Sequence, residues 1–261
     1  MHTYCSSLIR ASGLVAAALL LSSCKSTGLD GGGSSTSTDQ SATGVWSGTD
    51  SVSGFTISAL INSAGQATFV RSDGIQFVGS AQVSGSTLAI TVDGYSDFPN
   101  AFSDGSTYGI GTLNGAVTTG SSITATLTFN TNGGTAIGGS WSLSYLAQSN
   151  TASSPAAISG NYTDTSTGAV LSINSDGVMT SQGPGNCVLN GSVATGDTSH
   201  NIYEVSYKYD SCSASYAGLN GVQFSGLATL NTGASPAQLF IAVTGASSTN
   251  KYSIVSTLNG S

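Results

Sequence analysis

Apolar and polar residues alternate along most of the chain beyond residue 43, with the period of two expected of strands that bury one face. Inward positions in the clearest runs are Phe55, Ile57, Ala59 and Ile61; Ile123, Ala125, Leu127 and Phe129; Trp141, Leu143 and Tyr145; and Tyr203, Val205, Tyr207 and Tyr209. Thr, Ser, Lys or Glu occupy most of the intervening positions. No stretch of similar length in this region has a helical period. The pattern predicts an all-β protein.

Turn signals between these runs are dense and favour antiparallel hairpins. They are the dipeptides Asp73-Gly74, Asn114-Gly115, Asn132-Gly133, Asp176-Gly177 and Asn190-Gly191. Many short antiparallel strands must hide their edges, which a closed barrel or a two-sheet sandwich does. We keep both architectures open on the pattern alone.

Two halves of the chain look like divergent copies of one unit. Gly44-Val45-Trp46 opens the first and Gly160-Asn161-Tyr162 the second, and the segment INSAG at 61–65 is echoed by INSDG at 173–177. A Ser/Ala/Pro-rich break separates them. We therefore predict two small β domains, 44–147 and 158–261, that fold separately and are joined by a linker at 148–157.

The amino-terminal segment has the three-part build of an export signal, with a polar start, an apolar stretch from Leu14 to Leu21 and then small residues. The apolar stretch is too short for a permanent span, which needs roughly 20 residues. Leu21-Ser22-Ser23-Cys24 resembles the lipobox of bacterial lipoproteins. An ordinary secreted protein with a chance cysteine is the alternative.

The lipobox resemblance implies a signal peptide at 1–23, cleavage before Cys24, and diacylglycerol and acyl chains such as palmitate on that cysteine. Residues 24–43 then form a Gly/Ser-rich tether. By similarity to Gram-negative lipoproteins, Lys25 permits sorting to the outer membrane. The expected location is the cell envelope, on its periplasmic or surface face, with the membrane as a partner through the lipid.

Two further resemblances concern the β units. A Gly-x-aromatic opening followed by hairpins resembles the calycin group of lipocalin-like and avidin-like barrels, which implies a barrel with an aromatic residue plugging one end. The second unit resembles a domain that recurs in uncharacterised Gram-negative lipoproteins. The residues carrying that similarity are Asn186 to Gly191, Tyr203-Glu204-Val205, Cys212 and Phe224 to Leu230. It implies no known activity.

Charge and cysteine content narrow the function classes. Charged residues make up 7% of the chain and the net charge is −7, so there is no basic surface to neutralise phosphates and nucleic acid is excluded as a partner. Cys187 and Cys212 are the thiols left beyond Cys24, and in an oxidising envelope we expect a disulfide between them. Metal ligation or a reactive thiol is the alternative, although no C-x-x-C spacing supports it.

Residues suited to catalysis are scarce. His200 is the one histidine after residue 23 and Glu204 the one glutamate, and four residues along a strand separates them by roughly 13 Å. No G-x-S-x-G motif is present, and several aspartates precede a turn glycine. We therefore expect no enzymatic activity, no catalytic residues and no cofactor.

The segment from Asp93 to Tyr108 is the strongest candidate for a functional loop. Its aromatic side chains, Tyr95, Phe98, Phe102 and Tyr108, could form a binding loop or could cap the barrel mouth. Its carboxylates, Asp93, Asp97 and Asp104, are a candidate calcium site without EF-hand spacing, the alternative being an ordinary acidic loop.

A binding module is the function that these observations favour, with an unidentified protein or a small apolar molecule as its ligand. An envelope inhibitor of a cationic lytic enzyme is the alternative, because acidic, lipid-anchored, disulfide-bearing barrels resemble bacterial lysozyme inhibitors. A hydrolase with an unrecognised site is a third hypothesis.

Overall fold

The computed structural model describes residues 38–261, and the compact unit to which they belong extends from Ser37 to Ser261. The predicted signal peptide, the lipidation site Cys24 and most of the predicted tether lie outside the described residues. Among the residues that the structure does describe, no helix is long and apolar enough to cross a membrane.

The first half of the described chain folds into a closed antiparallel barrel. Its strands are β1 Gly44–Asp50, β2 Thr56–Ile61, β3 Gln66–Arg71, β4 Gln76–Ser80, β5 Gln82–Ser84, β6 Thr87–Tyr95, β7 Tyr108–Thr118, β8 Ser122–Thr131 and β9 Ala136–Tyr145. β1 pairs with both β2 and β9, and β4 and β5 both pair with β6. Because only Ala81 separates β4 from β5, the two form one bent strand of an eight-stranded barrel.

The second half forms another closed barrel of eight strands. They are β10 Gly160–Thr163, β11 Val170–Ile173, β12 Val178–Gln182, β13 Val188–Ala194, β14 Tyr203–Asp210, β15 Gln223–Asn231, β16 Gln238–Ala246 and β17 Lys251–Gly260. Each strand pairs with the next, and β17 closes onto β10 through the pair Tyr162 and Gly260. The predicted all-β class with two barrels is confirmed, and the sandwich alternative is not adopted.

Both barrels begin with the same aromatic plug. Trp46 Nε1 donates to the carbonyl of Ala42 at 2.9 Å, and Tyr162 Oη donates to the carbonyl of Ile158 at 2.8 Å. In each case a buried ring bonds to the residue four positions earlier and satisfies its one polar atom.

The echoed INSAG and INSDG segments form equivalent turns, between β2 and β3 and between β11 and β12. Asn62 Oδ1 accepts the backbone N–H groups of Ala64 and Gln66, and Asn174 Oδ1 accepts those of Asp176 and Val178. Gly65 and Gly177 both adopt φ of 83°. The two turns therefore share the same hydrogen bonds and the same glycine conformation, as expected of two copies of one unit.

Aromatic side chains fill the first barrel. Phe77 contacts Phe129 and Trp141 at centroid distances of 5.3 and 5.6 Å, and Phe69 contacts Trp141 at 5.5 Å. All four rings are almost completely buried. This interior is a solid core.

A third apolar cluster joins the outer surfaces of the two barrels. Val45 and Leu60 of the first barrel pack with Ile202 and Leu227 of the second. The alternating pattern predicts that Leu60 faces outward, and it does so, but the second barrel covers it. We call this cluster of four residues the seam.

The connection between the barrels is ordered. A short 3₁₀ helix spans Ala147–Asn150, and α1, Pro155–Ile158, is capped by the Ser154 side chain. Ser149 is buried, and its hydroxyl bonds to the backbone N–H and C=O of Val45 at 2.8 and 3.1 Å. Ser149 is therefore held against the first barrel, whereas the backbone N–H and hydroxyl of Ser153 donate to the carbonyls of Thr198 and Asp197 in the second half of the chain. The Ser/Ala/Pro-rich composition alone does not indicate these contacts.

Candidate ligand-binding site

The second barrel contains a cavity of about 210 Å³ at one end of its interior. Its wall is mostly apolar, formed by inward side chains of β11, β12, β13, β16 and β17. They are Leu171, Met179, Leu189, Ile241, Ile254 and Leu258. Ligand sites in proteins are typically concave and apolar in this way, with a few polar groups that set orientation.

Two large aromatic residues of the first barrel have serine counterparts at the cavity of the second. On β3, Phe69 pairs with Ala59 of β2 and with Phe77 of β4. The equivalent position on β12 is Ser181, which pairs with Leu171 of β11 and with Leu189 of β13. Serine therefore replaces a phenylalanine that the first barrel buries.

The same comparison applies at the closing strand. Trp141 lies four residues before Tyr145, the residue that pairs with the plug Trp46. Ser256 lies four residues before Gly260, the residue that pairs with the plug Tyr162. Ser256 is therefore the counterpart of Trp141. Ser181 and Ser256 both line the cavity. These serines are smaller than the rings at the equivalent positions, while their strand partners Leu171 and Ile241 are larger than the alanines Ala59 and Ala125 of the first barrel.

Four aromatic side chains also line the cavity: Phe98, Tyr207, Tyr209 and Tyr216. Tyr207 and Tyr209 lie 5.2 Å apart between ring centroids, and Phe98 lies 5.9 Å from Tyr216. Three belong to the second barrel, but Phe98 comes from the loop between β6 and β7 of the first. The site is thus completed by both halves of the chain.

That loop binds the second barrel along β16 and β17. The backbone N–H of Phe98 donates to the carbonyl of Ser253 at 2.9 Å, and Asp97 Oδ1 accepts the N–H of Val255 at 3.1 Å. Nearby, the ammonium of Lys251 lies 3.4 Å from the ring centre of Tyr108.

The four aromatic residues predicted as a binding loop are therefore packed side chains. Tyr95 is buried, and Phe102 is buried against Phe129 in the first core at 5.8 Å. The sequence left open a binding role and a capping role for these residues. The packing of Tyr95 and Phe102 favours the capping role for those two. Phe98 lines the cavity, so a binding role for this loop stays a prediction.

The candidate calcium site is not assembled. Asp93 accepts a hydrogen bond from Tyr108, Asp97 is bonded as described above, and Asp104 accepts from Ser106 and Thr131. Within residues 38–261 no three His, Cys, Asp or Glu side chains form a metal-binding group. Each carboxylate serves a different local hydrogen-bond network, so the structure does not bring Asp93, Asp97 and Asp104 together.

Two carboxylates lie close to the cavity and differ in their electrostatics. Asp97 lies directly behind Phe98, and burial raises its pKa to about 6 although the N–H of Val255 opposes the shift. Asp164 lines the rim; burial raises its pKa, but hydrogen bonds from Ser166 and Thr167 outweigh that effect and lower the pKa overall. Asp164 is therefore ionised at neutral pH.

Tyrosine hydroxyls contribute the deeper polar groups. Tyr207 is fully enclosed, and burial, followed by the influence of Tyr209 and Asp97, raises its pKa well above the ordinary value. It is neutral at any physiological pH and can donate or accept a hydrogen bond.

The predicted disulfide between Cys187 and Cys212 is present and belongs to the rim. Cys187 lines the cavity, and the bond ties the start of β13 to the long loop after β14. Chain-entropy arguments give about 3–4 kcal/mol of stabilisation for a loop of this size. The alternative of metal ligation does not apply to these two sulfurs.

His200 and Glu204 lie away from the cavity and have separate partners. His200 Nδ1 lies 2.5 Å from Asp197 Oδ2, whereas Glu204 Oε1 accepts from Asn62 of the first barrel at 3.2 Å. Neither lines the cavity. His200 and Glu204 therefore do not form an acid–base pair. The expectation that the protein has no enzymatic activity stays a prediction.

Comparison with known proteins adds no assignment: no protein-family model matches the chain, and no curated protein matches its sequence.

Proposed function

We propose that this protein is a lipid-anchored envelope lipoprotein whose second barrel binds a small apolar ligand. One observation carries the ligand-binding part: at equivalent positions the first interior buries Phe69 and Trp141, whereas in the second Ser181 and Ser256 line a cavity at one end of the core. An unfilled cavity lowers the free energy of unfolding by on the order of 24 cal/mol per Å³ in core substitution series. Binding of a ligand in the cavity would offset this loss.

The anchoring part of the proposal rests on the lipobox at Leu21 to Cys24 and the apolar leader before it. Lipid on Cys24 would hold the barrels at the envelope membrane through the tether. Labelled palmitate tests this: the wild-type chain should incorporate it, and Cys24→Ala should not. Incorporation into the Cys24→Ala chain would contradict the proposed site.

A neutral, environment-sensitive dye tests the cavity. N-phenyl-1-naphthylamine should brighten on addition to residues 37–261, which form one compact unit with both barrels closed internally. The variant carrying Ser181→Phe and Ser256→Trp copies the residues of the first barrel and should abolish the signal. It fills the space that a ligand needs.

Ser192→Phe is the matched control because Ser192 is exposed on β13 and points away from the cavity. It should leave the dye signal unchanged. Equal brightening in the filled variant would place the dye elsewhere and contradict the proposal. Circular dichroism checks that each variant keeps its strands.

A further inference from the structure

We propose that the ligand of this cavity is a compact organic cation with an apolar body, of the class of aromatic or alkyl ammonium compounds. The proposal rests on the proposed ligand-binding function and specifies its chemistry. Three features carry it: the aromatic rim, the carboxylates beside it and the placement of the basic residues.

The aromatic rim supplies faces that attract cations. Phe98, Tyr209 and Tyr216 line the cavity together with the fully enclosed Tyr207, and the ring of Tyr252 lies 5.9 Å from that of Phe98. The negative quadrupole of each ring face attracts a desolvated ammonium group, and clustered rings are a known means of binding quaternary ammonium. An uncharged ligand gains only burial from the same surfaces.

Carboxylates reinforce that preference. Asp164 lines the rim and is ionised at neutral pH, held by Ser166 and Thr167. Asp97 lies behind Phe98 and is close enough to influence Tyr207. A positive ligand therefore meets favourable charge from both carboxylates.

The basic residues of residues 38–261 are all placed elsewhere. Arg71 is paired with Asp73 at 2.6 Å, Lys208 with Asp210 at 3.1 Å, and Lys251 lies on Tyr108. None of the three lines the cavity. A carboxylate or phosphate ligand would therefore be desolvated without a charged partner, which costs several kcal/mol for an unpaired buried ion.

The size of the cavity limits the ligand to a small molecule. A cavity of about 210 Å³ accommodates on the order of ten to twenty non-hydrogen atoms. Benzyltrimethylammonium has that size and combines a ring with a permanent charge. Benzyl alcohol and phenylacetate are smaller neutral and anionic compounds that carry the same benzyl group.

Isothermal titration calorimetry of residues 37–261 with these three probes at pH 7.5 tests the proposal. We expect benzyltrimethylammonium to bind at least tenfold more tightly than benzyl alcohol, and phenylacetate to bind most weakly. If benzyl alcohol or phenylacetate binds as tightly as the cation, the charge preference is wrong while the proposed cavity function stands. If no probe binds, both fail.

Single charge changes locate the effect without altering the core. Asp164→Asn should weaken benzyltrimethylammonium binding about three- to tenfold and leave benzyl alcohol binding unchanged. Asp176→Asn makes the same charge change in an exposed turn at the opposite end of the barrel and should leave both unchanged. Equal weakening by both variants would show only a net-charge effect and overturn the proposal.

Filling the cavity gives the remaining comparison. The variant with Ser181→Phe and Ser256→Trp should lose binding of the cation entirely. Undiminished binding in that variant would place the cation outside the barrel and overturn the proposal.

Discussion

Glycines inside the strands mark places where two backbones come too close for a side chain. Gly115 lies within β7, and a Cβ atom there would lie 1.9 Å from the carbonyl oxygen of Thr124 on β8. Gly138 lies within β9, where the nearest atom would be 3.9 Å away. The two positions look alike in the sequence but differ in the space around them.

Gly115→Ala should therefore destabilise the protein by about 1–3 kcal/mol, the usual cost of forcing atoms into a packed site. Gly138→Ala should be neutral or slightly stabilising because strands disfavour glycine. Urea unfolding followed by tryptophan fluorescence measures both, since Trp46 and Trp141 lie in the same barrel. Equal stability of the two variants would contradict the close contact at Gly115.

Asp97 makes stability depend on pH in an unusual direction. Burial raises the pKa of its carboxyl from 3.8 to about 6 in the folded protein, so the folded state binds the proton more tightly than the unfolded state does. Between pH 4 and pH 6, acidification therefore stabilises the fold through this group, and above pH 6 the ionised form is a cost. Asp50, Asp104, Asp164 and Asp197 have lowered pKa values, so their ionised forms stabilise the fold. That contribution is lost as the pH falls below their ordinary pKa of 3.8.

Asp97→Asn should remove the gain in stability between pH 6 and pH 4 while keeping an acceptor for the N–H of Val255. At pH 7 it should stabilise the protein, on the order of 1 kcal/mol after allowance for partial exposure. Thermal unfolding of both proteins across this pH range measures the difference. Parallel curves would show that Asp97 does not carry the effect.

Residue patterns in the sequence predict which side chains face inward, but they do not predict which side chains of other strands lie opposite them in the barrel interior. The period of two correctly places Trp141 on an inward face, whereas Phe69, Ser181 and Ser256 lie outside the runs that the pattern identifies. Whether those positions make a solid core or a cavity depends on neighbours up to about 75 residues away, because Ser181 and Ser256 belong to strands far apart in sequence. Comparison of the two copies, register by register, is the signal that identifies the site.

At the scale of elements, the seam couples two barrels that each have a core of their own. Leu60 is almost fully buried there, although it lies on the outer face of β2. Hydrogen bonds strengthen the contact, including one from Ser253 Oγ to Gln76 Oε1 at 2.7 Å. We expect the wild-type barrels to unfold together.

Leu60→Ser should cost about 2–4 kcal/mol and separate the two unfolding transitions. Tryptophan fluorescence reports the first barrel and far-ultraviolet circular dichroism reports both, so the two curves should coincide in the wild type and diverge in the variant. Val52→Ser changes an exposed residue and should leave the curves coincident. Diverging curves in the wild-type protein would contradict coupling through the seam.

Turn prediction succeeded only where the dipeptide lies at a chain reversal. Asp73-Gly74 and Asp176-Gly177 form turns with positive φ at glycine. Asn114-Gly115 and Asn190-Gly191 instead lie inside β7 and β13, so those turn predictions are wrong. The glycines there permit close backbone approach, which depends on the neighbouring strand and cannot be recognised locally.

At the scale of the whole molecule, the internal repeat and the strand pattern predict two all-β domains, and the choice of a barrel follows from strand closure. The role of the loop from Asp93 to Tyr108 could not be predicted, since its partner is the other barrel. Phe98 illustrates this: its place at the second cavity depends on how the two barrels pack. The expectation that 44–147 and 158–261 fold separately stays a prediction.

The division of roles between the barrels follows from these contacts. The first barrel is filled and contributes Phe98, while the second contains the cavity and supplies the remaining lining residues. A tether from a lipidated Cys24 would present both at the membrane. The central claim is that the cavity of the second barrel is a ligand site.

The methyl group of Met179 tests that claim most directly. The chain has two methionines, Met1 and Met179, so residues 37–261 labelled with ¹³C-methyl methionine carry a single labelled methyl group in the cavity wall. Titration with benzyltrimethylammonium should shift this signal saturably, and the Ser181→Phe, Ser256→Trp variant should show no such shift. A Met179 signal that stays fixed while calorimetry records binding would contradict the account, because the ligand would then lie outside the barrel.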